Sequence, residues 1–174
     1  MKNTANIMAI NNPDKIISAL SYDDFDAFHA FMKDFKTDLR IFKKYADILS
    51  LKIIEDKNFF DSFNFYICVP PSDSGRINYS LKLAELISAK TGKPLRDGLL
   101  KKIKITKELK SLPRDLRKTE IKDSFTAFLS GGERICVIDD VSASGATICE
   151  ISKTLKNSGA AYVCAAVVCA LSFP

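Results

Sequence analysis

The chain has 174 residues, 47% apolar and 27% charged, with a net charge of +5. That is the composition of an ordinary soluble globular protein, large enough for one domain over residues 1–174 with a real core. The longest apolar run, Ala160 to Leu171, spans twelve residues, too few to cross a bilayer, and no secretory signal is legible, so a cytoplasmic protein without a membrane partner is expected.

In chain order, the first twenty residues begin polar, with a turn signal at Asn11-Asn12-Pro13-Asp14. Ser21 with Asp24 reads as a capping-box variant, and Phe25, Phe28, Phe31, Met32 and Phe35 then recur at helical spacing. A second helix from near Thr37 carries Leu39, Phe42, Tyr45, Ala46 and Leu49. This aromatic-rich pair reads as a helical cap or hood over about residues 1–60, packed on a core of about 61–174.

Phe63 to Val69 reads as a strand ending in the loop Pro70-Pro71-Ser72-Asp73-Ser74-Gly75-Arg76, and Leu81, Ala84, Leu86 and Ile87 as a helical face closed by Gly92 and Pro94. The lysines of Leu95 to Ile105 suggest an edge strand or projecting arm. Residues 106–123 are helical stretches broken by Pro113, and Ser130-Gly131-Gly132 is a turn between strands. After a strand at Ile135 to Ile138, Ile148, Ile151 and Leu155 make a helical face ended by Asn157-Ser158-Gly159, and Tyr162 to Leu171 is a strand apolar throughout. Strands alternating with helices predict an α/β fold with a central, mostly parallel sheet covered on both faces.

The five cysteines form no Cys-x-x-Cys pair, and with His29 as the sole histidine they match no zinc pattern, so free thiols are expected. Positive charge is concentrated. Nine basic residues lie between Lys101 and Lys122 against Glu108, Asp115 and Glu120, a local excess of +6 with −1 elsewhere. A solvated surface is one reading of that segment. A nucleic-acid patch is another, not favoured because aromatics are not interleaved with the charges.

The most informative stretch runs from Ile135 to Thr147: four apolar residues, Asp139-Asp140, then Val141-Ser142-Ala143-Ser144-Gly145-Ala146-Thr147. In α/β proteins the loop between a parallel strand and its helix binds phosphorylated ligands. The backbone N–H groups of Ser142 to Thr147 can converge on a phosphate at the positive end of the helix dipole. Gly145 allows close approach, and Ser144 and Thr147 add hydroxyl donors. Two carboxylates beside a phosphate make sense if the ligand also offers sugar hydroxyls or a hydrated divalent metal. The plain alternative is a buried strand with an acidic turn.

This stretch resembles the phosphoribosyl-pyrophosphate (PRPP) signature of the type I phosphoribosyltransferases. The resemblance implies that Asp139 and Asp140 meet the ribose hydroxyls, with a magnesium ion held at the pair directly or through water. It implies that Ser142, Ala143, Ser144, Gly145, Ala146 and Thr147 wrap the 5′-phosphate. Ala143 stands where the family commonly has a threonine. By the same resemblance, Ser72, Asp73, Ser74, Gly75 and Arg76 occupy the place of the pyrophosphate loop. There Arg76 offers a planar donor fork, and Asp73 opposes an anion unless magnesium intervenes. A turn with Asn78 capping the next helix is the other reading of that loop. The basic segment then gains a third reading, a mobile catalytic loop in which Lys107, Lys110 and Arg114 stabilise the departing pyrophosphate.

A narrower resemblance, from about Phe31 to Leu171, is to the competence-associated (ComF-type) phosphoribosyltransferases. It rests on Val69-Pro70, Asn78, and Leu112 with Arg117 before Phe125. Lys107-Glu108 stands where such proteins often carry a glutamine. What these resemblances imply is transfer of a phosphoribosyl group from PRPP to a nitrogen nucleophile, with release of pyrophosphate. The ligands would be PRPP or a nucleoside 5′-monophosphate. The other function is a non-catalytic PRPP or nucleotide sensor acting through a protein or nucleic-acid partner. A homodimer stays open.

Overall fold

The computed structural model describes residues 12–22, 25–71, 77–104, 106 and 112–171. In chain order the elements are β1 (Lys15–Tyr22), α1 (Phe25–Thr37), α2 (Leu39–Glu55), α3 (Lys57–Phe60), β2 (Phe65–Cys68) and α4 (Tyr79–Thr91). There follow β3 (Leu100–Lys102), α5 (Arg114–Ile121), β4 (Phe125–Ala127), β5 (Arg134–Ser142), α6 (Ala146–Asn157) and β6 (Tyr162–Leu171). Four strands make one parallel sheet in the order β1-β6-β5-β2. A parallel bridge from Tyr66 to Leu95 continues it past β2.

The two central strands are apolar because both their faces are covered. Cys136 and Ile138 of β5 and Cys164, Ala166 and Val168 of β6 join Phe35, Leu49, Leu83 and Ile87 in one core cluster under α1, α2 and α4. Ile135, Val137, Val163 and Ala165 alternate to the other face, where Ile148, Ile151 and Leu155 of α6 pack with Ile121 and Phe125. The doubly covered α/β sheet expected from sequence is therefore present.

One expectation needs correction. Residues 15–22 are not part of a helical hood: they form an edge strand of the central sheet, with Leu20 opposite Cys169 and Tyr22 opposite Leu171. Polar residues at Lys15, Ser18 and Ser21 blur the alternation, and what makes the segment a strand is hydrogen bonding to β6. Its outer edge is blunted by Lys52, whose ammonium donates to the carbonyl oxygens of Ser18 and Ala19 at 3.0 and 3.1 Å. Among the described residues, the lysine-rich segment after Leu95 forms β3, which pairs antiparallel with β4 in a two-stranded sheet separate from the main one. Pro113 stands at the start of α5 rather than within a helix. Ser21, expected to open a helix, lies within β1, and its expected capping partner Asp24 is outside the described residues.

After β2 the chain crosses to α4 on one face, and after β5 it crosses to α6 on the other. The carboxyl ends of these neighbouring strands thus open a crevice between helices leaving in opposite directions. In open α/β sheets that is where ligands bind.

Candidate functional site

The crevice holds a cavity of about 340 Å³ lined by the consecutive residues Asp139 to Ile148, with Ser80, Asn78 and Pro70 opposite. Strand β2 stops with Cys68 opposite Ile138, and Val69 donates its N–H to the Ile138 carbonyl at 3.0 Å. The acidic pair therefore comes just after the point where β5 loses its β2 neighbour, while it remains paired to β6 at Asp139–Val167.

Both carboxylates are buried, 7% and 8% exposed, and such groups need partners. Asp139 Oδ1 accepts from the Ser80 hydroxyl at 2.7 Å and from the Asp140 backbone N–H at 2.9 Å. Asp140 Oδ2 lies 2.6 Å from the Lys36 ammonium. Burial pushes the Asp139 carboxyl well above its ordinary value, and the neighbouring Asp140 charge adds to this, against the opposing hydrogen bonds from Ser80 and the Asp140 N–H. The pair is thus asymmetric. One carboxyl is biased toward its neutral form and tied to α4, and the other is tied to a cation of α1.

The loop turns into α6 at Gly145, which sits at φ +70° and ψ −7° as the residue before the helix and offers no side-chain cap. This left-handed turn explains why glycine stands there. The first N–H groups of any helix lack intrahelical acceptors; those of Ala146, Thr147 and Ile148 border the same cavity, a geometry suited to an anion. Ser142, Ser144 and Thr147 are half-buried along it.

The structure thus brings Asp139, Asp140 and the whole of Ser142–Thr147 together. Ser72, Asp73, Ser74, Gly75 and Arg76 lie outside the described residues, although Pro71 and Ile77, which flank them, line the cavity. Asn78 caps α4, accepting from the Leu81 N–H at 3.1 Å and donating to the Val69 carbonyl at 3.3 Å. Lys107, Lys110 and the side chain of Arg114 are likewise outside. The basic segment nevertheless reaches the cavity through Arg117, whose Nε donates to the Leu112 carbonyl at 3.0 Å.

Sequence reasoning missed Ser80, Tyr79 and Lys36. Ser80 had one available signal, since it follows the capping Asn78 at the start of a helix leaving the crevice. Lys36 had none, because 104 positions separate it from Asp140.

The donor chemistry fits magnesium in one mode. Among the described residues no cluster of three or more His, Cys, Asp or Glu side chains forms a metal cage. Two carboxylates facing a cavity suit a magnesium ion that keeps most of its waters and is shared with ligand phosphates. The five cysteines are free thiols. Burial raises Cys68 to about 11 and Cys169 to about 12, so neither thiol near the site is a ready nucleophile. No helix of the described residues is long and apolar enough to cross a membrane. No protein-family model and no curated protein matches this chain.

Proposed function

We propose that the chain is a type I phosphoribosyltransferase-like protein that binds PRPP and transfers its phosphoribosyl group to a nitrogen nucleophile. The observation that carries this reading is the placement of Asp139 and Asp140 beside the Gly145 turn and the α6 N-terminus, in one cavity at the ends of β2 and β5. A ribose 5-phosphate has the same two chemistries about one sugar length apart.

In this reading the 5′-phosphate lies against the N–H groups opening α6, where the helix dipole favours an anion. Asp139 and Asp140 take the ribose hydroxyls. Ser80, by bonding Asp139 Oδ1, fixes that carboxyl before the ligand arrives, which lowers the ordering cost of binding. The diphosphate is assigned to the loop 72–76 and the basic segment, of which Arg117 lines the cavity. Magnesium, when bound, neutralises the leaving diphosphate, and Asp139 and Asp140 would hold it through water. The protein's own part is to hold the sugar rigidly while C1–O bond breaking develops positive charge on the sugar and negative charge on the diphosphate.

The test is a screen of nucleobases and amines with PRPP and magnesium, following pyrophosphate release. Release that depends on one acceptor supports transfer. PRPP binding with no release on any acceptor leaves the sensing function. Absence of PRPP binding refutes the reading.

A further inference from the structure

Lys36, in the last turn of α1, stands 2.6 Å from Asp140 Oδ2. Its position is built. The Tyr79 hydroxyl at the start of α4 donates to the Lys36 carbonyl at 2.9 Å, and the Lys36 ammonium lies 5.3 Å from the centre of the Tyr79 ring. One residue of α4 therefore holds both the backbone of Lys36, through a carbonyl that the helix end leaves without an intrahelical partner, and its charged head. The Lys36 side chain is 39% exposed and that of Asp140 12%, so the pair forms part of the cavity rim rather than the closed core.

Asp140 lines this cavity, so a phosphate bound there lies near a carboxylate of its own sign. Unscreened, a unit negative charge within about 7 Å of the phosphate costs more than a factor of ten in affinity at an effective dielectric of about 20. A divalent ion delivered with the ligand is one remedy. The structure already holds another, a fixed ammonium against Asp140. We propose that Lys36 is the built-in counter-cation of the acidic pair, allowing the cavity to take a sugar phosphate monoester without a divalent metal. This rests on the reading of the cavity as a ribose-phosphate site and assigns a chain residue the charge compensation there.

The experiment is calorimetry of ribose 5-phosphate binding, in EDTA and in magnesium, for the wild type, Lys36→Met, Lys36→Arg, Asp140→Asn and the double variant Lys36→Met with Asp140→Asn. The wild type should bind in EDTA with an affinity within about threefold of that in magnesium. Lys36→Met should lose roughly tenfold or more in EDTA and recover most of it in magnesium, with Lys36→Arg close to wild type. The double variant should bind in EDTA more tightly than Lys36→Met alone, because the carboxylate left uncompensated in that variant is gone. Wild-type affinity in Lys36→Met, or a double variant as weak as Lys36→Met alone, overturns the counter-cation role and leaves the ribose-phosphate site standing. If wild-type protein binds neither ribose 5-phosphate nor PRPP in either condition, the site reading fails and the role of Lys36 falls with it.

Discussion

Replacing Gly145 separates the backbone's part in phosphate binding from its part in folding. The residue holds φ +70°, and a Cβ added there would meet nothing nearer than Cys149 Sγ at 3.9 Å, an ordinary contact. The cost of a side chain is thus conformational, not steric. A left-handed conformation costs an L-residue about 1–2 kcal/mol, which in a domain of this size lowers the melting temperature by roughly 2–8 °C. Asparagine tolerates the region better than alanine, and valine, being β-branched, tolerates it worst. Stability should fall in the order Gly145→Asn, Gly145→Ala, Gly145→Val, with every variant still folded. Affinity for ribose 5-phosphate should fall in the same order and more steeply. A chain relaxing out of the left-handed turn swings the N–H groups of Ala146 and Thr147 away from the phosphate. Thermal denaturation followed by circular dichroism gives the first series, and calorimetry the second. A valine variant with wild-type melting and affinity would remove the turn from the binding mechanism. An alanine variant losing more than about 4 kcal/mol would reveal a steric obstruction that the 3.9 Å spacing excludes.

Other consequences follow from the acidic pair and the basic segment. Ser80→Ala removes a buried 2.7 Å bond to Asp139; denaturant unfolding should show a loss of about 1–3 kcal/mol, and an unchanged midpoint would deny Ser80 its holding role. Because Asp139 is raised in the folded state from an ordinary 3.8, the folded protein keeps a proton that the unfolded chain gives up. Wild-type stability should therefore fall relative to Asp139→Asn as the pH rises above the ordinary value. A stability difference that is flat from about pH 4 to 7 would contradict that proton assignment. Asp139→Asn with Asp140→Asn should weaken magnesium-dependent sugar recognition yet leave inorganic phosphate bound, and equal loss of both would show that the two roles are not divided. Neutralising Lys107, Lys110 and Arg114 together should slow kcat far more than it weakens PRPP binding. Steady-state kinetics like those of wild type would remove them from the reaction, and a reduced salt slope of nucleic-acid binding would reassign them.

The sheet and the phosphate loop were legible because local signals and the fold agree there. The apolar runs at Ile135 to Ile138 and Tyr162 to Leu171 are central strands covered on both faces, and Gly145 marks a turn whose positive φ demands it. Strand β1 was not legible: an edge strand with Lys15, Ser18 and Ser21 in it is specified by its pairing with β6, a contact across the whole chain. The acidic pair was visible, but its two fates were not. Ser80 and Lys36 reach it from helices on opposite sides of the loop 72–76 in sequence, and only folding sets one against Asp139 and the other against Asp140. Charge counting located the basic segment without showing that Arg117 is a member reaching the cavity.

The most direct measurement is titration calorimetry of the intact protein with PRPP in magnesium, with inorganic phosphate and a nucleoside 5′-monophosphate as competitors. A single saturable site is expected, displaced by the monophosphate and abolished by Gly145→Val in a folded variant. No saturable heat with PRPP, or binding that Gly145→Val and the Asp139→Asn, Asp140→Asn pair leave intact, would contradict a ribose-phosphate site at the ends of β2 and β5.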